Sequence, residues 1–169
     1  MKREHNKILM VLFLVYLAAL TWIILFKMEF SMGNLVGVRS INMIPFQGSM
    51  IVNGKIAFSE IIQNAFAFIP FGIYVSTLWK EWSFPEKFLS FALVSLIYEV
   101  LQYILAIGRS DITDVINNCL GGLFGMGIYF ILRKLFHSDA KTEKFISICA
   151  GIMTAGMLVL LTLLVAVNR

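Results

Sequence analysis

The chain is poor in charge. Of its 169 residues only 14% are Asp, Glu, Lys or Arg, where soluble domains carry about a quarter. Two cysteines, Cys119 and Cys149, both fall inside apolar runs and read as buried reduced thiols, so redox compartment is left open. No His/Cys spacing of the zinc type occurs, and His5 and His137 lie in a tail and a loop, so neither a metal nor another cofactor is expected. No Lys/Arg run is dense enough for a nucleic-acid footprint. There is no phosphate-cradling glycine loop, no acyl-transfer nucleophile beside a base, no low-complexity linker and no repeat.

What is present is apolar length. The hydrophobic share is 59% and the mean hydropathy +0.85. Five stretches emerge, Ile8–Phe26, Ile61–Leu78, Phe88–Ile107, Val115–Leu132 and Phe145–Val167. Each approaches the ~20 residues that cross a ~30 Å hydrocarbon layer. The expected fold is an all-α integral membrane protein, a single domain over 1–169 with about five transmembrane helices. The second and fourth stretches are the least regular, because they contain Asn64, Pro70, Asn117 and Asn118. The basic start, Met1-Lys2-Arg3 with Lys7, resembles a signal peptide, but the apolar run is long and lacks a small-x-small cleavage site before Lys27. It reads as a retained first helix.

Charge orients the bundle. With the N-terminus cytoplasmic, nine Lys/Arg fall inside (Lys2, Arg3, Lys7, Lys80, Lys87, Arg133, Lys134, Lys141, Lys144). Five fall outside (Lys27, Arg39, Lys55, Arg109, Arg169). The long outer loop from Lys27 to Glu60 is too apolar for a plain solvated linker and reads as interfacial or partly re-entrant. Trp79 and Trp82 fit an interfacial belt. Gly108 to Asp114 reads as a tight connection.

Into this lipid-soluble background the segment Ser95 to Gly125 places Glu99, Gln102, Arg109, Asp111, Asp114 and Asn118. A carboxylate at membrane depth costs roughly 2.5–3.5 kcal/mol on insertion scales. Ser95, Glu99 and Gln102 share one helix stripe. Asp111, Asp114, Asn118, Gly121, Gly122 and Gly125 form another, which begins polar and ends small. Gly121-x-x-x-Gly125 admits a close neighbour helix. Pro70 frees the carbonyl of Phe66, which predicts a kink or break there. In the N-in orientation Glu99 lies about 12 Å, Gln102 about 8 Å, Asn118 about 6 Å and Asn64 about 5 Å below the outer surface. Arg39 and Asn42 belong to the outer loop. The polar residues thus converge on the outer half, and none is expected in the inner halves of spans two to four.

Two readings stand for several of these residues. Arg109 can pair with Asp111 and fix a turn, and Asp114 can cap the fourth helix. Gln102, Asn64 and Asn118 can serve as interhelical hydrogen bonds alone. Glu99 is mid-helix, has no capping role, and must be paired, hydrated or protonated. It is the strongest candidate for function.

These motifs resemble the VanZ-like family of small bacterial membrane proteins. The carrying residues are Arg39-x-x-Asn42-x-x-Pro45-Phe46, Asn64-x-x-x-Phe68-x-Pro70-x-Gly72 and Glu99-x-x-Gln102. They continue with Gly108-Arg109-x-Asp111-x-x-Asp114 and Asn118-x-x-Gly121-x-x-x-Gly125. The motif core covers 39–132. The resemblance implies an association with low-level resistance to the glycopeptide teicoplanin, apart from the D-Ala-D-Lac route.

Three functions compete. In the first, an outer-leaflet site built from Arg39, Asn42, Asn64, Gln102, Arg109 and Asn118 around Glu99 binds an amphipathic or lipid-linked molecule, such as a cell-wall precursor or a lipoglycopeptide. In the second, Glu99 with Asp111 or Asp114 supplies acid–base chemistry on a lipid-linked substrate. The third is a transporter or scaffold, for which neither a polar path to the inner face nor a repeat is visible. The expected setting is the bacterial cell membrane, with the lipid bilayer as partner and no nucleic acid.

Overall fold

A computed structural model describes residues 2–26, 38–46 and 58–167. Five helices are present, α1 (Lys2–Phe26), α2 (Phe58–Leu78), α3 (Phe84–Leu105), α4 (Ile112–Phe136) and α5 (Asp139–Val167). Helices α1, α3, α4 and α5 are long and apolar enough to cross a membrane, while the apolar part of α2 is the shorter Ile62–Leu78.

The helices outrun the apolar stretches because hydropathy marks lipid-compatible length and helix caps lie beyond it. Helix α3 starts at Phe84, where Glu86 accepts hydrogen bonds from the Ser83 backbone N–H (2.6 Å) and hydroxyl (2.7 Å), and Pro85 suits the first turn. It stops at Ala106, which takes the left-handed conformation (φ 55°) and donates its N–H back to the Tyr103 carbonyl. Helix α4 stops the same way at His137 (φ 49°), whose N–H meets the Arg133 carbonyl. Pro70 does not interrupt α2, which continues helical to Leu78. Of the kink or break expected near Phe66, the helix shows no break.

Two short strands refine the all-helical expectation. β1 (Val38–Asn42) and β2 (Ile107–Asp111) pair in parallel, with Val38 opposite Ile107 and Asn42 opposite Asp111. The tight connection expected over Gly108–Asp114 is therefore a strand that runs directly into α4. Part of the long first loop is bound to it. The segment after β1 exposes Met43, Ile44 and Phe46, and the rest of the loop expected to be interfacial, residues 27–37 and 47–57, lies outside the described residues.

The tightest seam lies between α2 and α4, which run parallel. A Cβ at Gly121 would overlap the Ala65 carbonyl, one at Gly125 the Ile69 carbonyl, and one at Gly72 the Gly122 carbonyl. Lipid offers apolar side chains no hydrophobic drive to associate, so contact at backbone distance supplies the attraction. Phe91 closes the next layer, with its ring over Gly122 and its edge toward Phe71 at 5.8 Å. Phe13, Phe71, Tyr74 and Phe68 extend this aromatic core toward α1.

Chain direction defines two ends. One holds the starts of α1, α3 and α5 and the ends of α2 and α4. The other holds the strand pair, the start of α4 and the end of α3.

Candidate functional site

The strand-bearing end gathers most of the residues singled out above. Asp111 is the hub. As N-cap of α4 it accepts the Thr113 backbone N–H on Oδ1 at 2.8 Å. Its Oδ2 accepts the Asn42 side-chain amide at 2.9 Å, across the last position of the strand pair. Its own backbone N–H donates to Glu99 Oε2 at 2.7 Å. Asn42, Asp111 and Glu99 thus form one chain of hydrogen bonds linking β1, β2, α4 and α3. Asn42 Oδ1 also accepts the Ile44 N–H at 3.2 Å, and Thr113 Oγ1 accepts the Phe46 N–H at 2.9 Å. These two bonds hold the segment after β1 against the start of α4.

Asp111 takes the capping role considered for Asp114, because the helix starts at Ile112. Asp114 falls in the first turn, where its negative charge suits the helix dipole, and its carboxyl is an electrostatic neighbour of Glu99.

Glu99 is only 3% exposed. One carboxyl oxygen is held by Asp111, and the Ser110 hydroxyl lies beside the group. The other oxygen, Oε1, is buried with no hydrogen-bond partner among the described residues. One turn back along the stripe, Ser95 Oγ accepts the Asn118 amide at 2.8 Å, with both residues fully buried. Nearly one turn forward, Gln102 donates its amide to the Ile24 carbonyl of α1 at 2.9 Å. The predicted stripe therefore faces the space between α1, α3 and α4.

The remaining candidates stand apart from this chain of bonds. Arg39 is exposed and donates to the Ile104 carbonyl at 3.4 Å. Arg109 sits on β2 opposite Ser40, and its side chain lies outside the described residues. Asn64 is half-buried on α2, and no hydrogen bond joins it to Glu99 or Asp111. Sequence reasoning missed Thr113, which has no signal beyond following a capping Asp by two. It also left Asn117 as an irregularity of its span, although its Nδ2 is buried with no hydrogen-bond partner among the described residues.

The opposite end also carries charge, at residues that flank the apolar stretches. Lys87 of α3 is buried because α3 begins one turn earlier than its apolar run. Glu143 of α5 is buried and pairs with Lys80. Lys80 also lies 3.9 Å from Asp139, which Arg133 meets at 2.8 Å.

An apolar cavity of about 410 Å³ opens between α1, α2, α4 and α5, lined by Tyr16, Pro70, Tyr74, Leu132, Phe145 and Met153 among others. None of the predicted site residues lines it.

Comparison with known proteins agrees with the motif pattern. The VanZ/LLP1 family model matches residues 13–133, which adds most of α1 to the motif core. Protein VanZ of Enterococcus faecium is 37% identical over 141 residues, covering 82% of this chain and 83% of that protein. No solved structure matches the chain. By the extent of the family match and by this identity, the chain belongs to the VanZ/LLP1 family.

Proposed function

We propose that the Glu99 region is a binding site in the outer half of the bacterial cell membrane. It takes the polar head of an amphipathic or lipid-linked cell-envelope molecule and thereby contributes to low-level teicoplanin resistance. The observation that carries the reading is Glu99 itself, a carboxyl fixed on one oxygen by Asp111 N–H and buried on the other with no hydrogen-bond partner among the described residues. A purely structural carboxyl in this position would be satisfied on both oxygens, because each unmet buried polar group costs about 1–3 kcal/mol. The orientation is the N-in, C-out arrangement that the Lys/Arg distribution favours, with the strand-bearing end outside.

Binding is favoured over catalysis by the state of Asp111. Both its carboxyl oxygens are engaged, by Thr113 and by Asn42, so it serves as a brace and not as a free base. A second reading keeps one specific support. Asp114 neighbours Glu99, and two carboxyls in electrostatic contact can divide acid and base roles on a lipid-linked substrate.

The test is the teicoplanin MIC of a susceptible Gram-positive host expressing this chain, with vancomycin in parallel. The binding account expects a rise for teicoplanin alone, lost in Glu99→Gln at equal protein abundance. A rise that survives Glu99→Gln removes the site from the mechanism. No rise for either drug detaches the chain from glycopeptide resistance.

A further inference from the structure

We propose that the group recognised at this site is a primary ammonium carried by an amphiphile, held through its N–H donors; this rests on the binding reading of Glu99. Buried polar atoms in folded proteins ordinarily find partners. Here the atoms left over on the α3 stripe and its α4 neighbour are chiefly acceptors: Glu99 Oε1, Gln102 Oε1 and Asn118 Oδ1. All three side chains are more than nine-tenths buried. Among the described residues Asn117 Nδ2 of α4 is an amide donor also left over.

A neighbouring bond decides which end of the Gln102 amide is free. The Ile24 carbonyl can only accept, so the nitrogen of Gln102 must face it and the oxygen must point away. The Asn118 amide faces Ser95 Oγ, a hydroxyl that can accept or donate, so the acceptor surplus rests on Glu99 and Gln102. Glu99 spends Oε2 on Asp111 and keeps Oε1. Ser95, Glu99 and Gln102 spread these groups over about 10 Å of one helix face, enough for a headgroup with more than one donor.

The chemistry that fits follows from this surplus. A phosphate or carboxylate would set oxygen against oxygen and add negative charge beside Glu99 and its electrostatic neighbours Asp111 and Asp114. A quaternary ammonium has the complementary charge but no N–H. A primary ammonium has both the charge and three donors, and its bond to a carboxylate is charge-assisted. The outer face of α3 exposes Leu96, Ile97, Val100 and Ile104 to lipid, so an alkyl tail can lie alongside while its head enters between the helices.

The experiment uses the full-length protein in phosphatidylcholine nanodiscs, with intrinsic tryptophan fluorescence as the readout. Trp22 lies two residues before Ile24 on α1. The probes are dodecylamine, dodecyltrimethylammonium and dodecyl phosphate. Dodecylamine should bind saturably and about tenfold or more tighter than either of the others, the scale of one charge-assisted hydrogen bond. Glu99→Gln should erase the preference, and Gln102→Leu should weaken dodecylamine binding without restoring dodecyl phosphate. Equal affinity for dodecylamine and its trimethyl analogue overturns the proposal, and so does tighter binding of dodecyl phosphate. The wild-type probe series decides this even if a variant fails to fold. Glu99-dependent resistance without an ammonium preference would defeat this inference and leave the binding site standing.

Discussion

The two ends of this bundle treat buried charge in opposite ways. At the end holding the starts of α3 and α5, Lys80 meets Glu143 and Asp139, and Arg133 meets Asp139, so opposite charges close on one another. At the strand-bearing end, Glu99 and its neighbours Gln102 and Asn118 keep buried acceptors with no hydrogen-bond partner among the described residues, whereas the unpartnered groups toward the other end are the hydroxyls of Ser76, Tyr129 and Ser147. Charge neutralised internally fastens the α2–α3 and α4–α5 connections together. A buried acceptor left open costs stability, most of all on a carboxyl, and the proposed binding reading accounts for that cost at Glu99.

Substitutions at the seam that supports both ends should have the largest effect. Gly125→Leu would drive a side chain into the Ile69 carbonyl and part α2 from α4. Folded protein should be nearly absent from the membrane, as judged by abundance and gel-filtration profile. A normal yield would show that the seam can open without consequence.

Asp111→Ala comes next. It removes the α4 N-cap and orphans the Asn42 amide, together about 2–3 kcal/mol. Because the hydrogen bond from Asp111 to Glu99 comes from its backbone N–H, function should fall less than stability does, and Asp111→Asn should recover part of both. A full loss of function in a stable Asp111→Ala protein would make Asp111 a direct ligand or base.

At the paired end, Lys80→Met strands Glu143. The cost should be ~2 kcal/mol, below the ~3–5 kcal/mol of a fully buried pair, because Lys80 is 26% exposed even though Glu143 is buried. Unfolding in detergent checks this. Arg133→Gln should matter least, under about 1 kcal/mol, since Arg133 and Asp139 are 49% and 40% exposed. A larger loss would show that Arg133 acts with Lys80 as one network.

Much of the architecture was legible because lipid imposes strong constraints. Five apolar stretches mapped onto five helices, and the stripe Ser95, Glu99, Gln102 faced inward, since a membrane helix hides its polar residues in the bundle. The glycines of α4 announced the close seam. The strand pair was not legible. Its partners are separated by more than 60 residues in the chain, and Ile-Gly-Arg-Ser-Asp carries neither alternation nor β-branched enrichment. The choice of Asp111 over Asp114 as cap depends on that strand, because the strand sets where α4 begins. Burial of Lys87 and Glu143 was hidden for a related reason. Hydropathy ends a span at the first charge, whereas the helix continues and packs the charge against its neighbours.

The most direct test compares Glu99→Gln with Lys80→Met, each scored for teicoplanin protection per molecule of membrane protein and for unfolding in detergent. The account predicts that Glu99→Gln folds at least as stably as the parent yet gives no protection. It predicts that Lys80→Met unfolds more easily yet protects as well, molecule for molecule. Protection that tracks stability in both variants would contradict it, and would make the Glu99 end one more part of the scaffold.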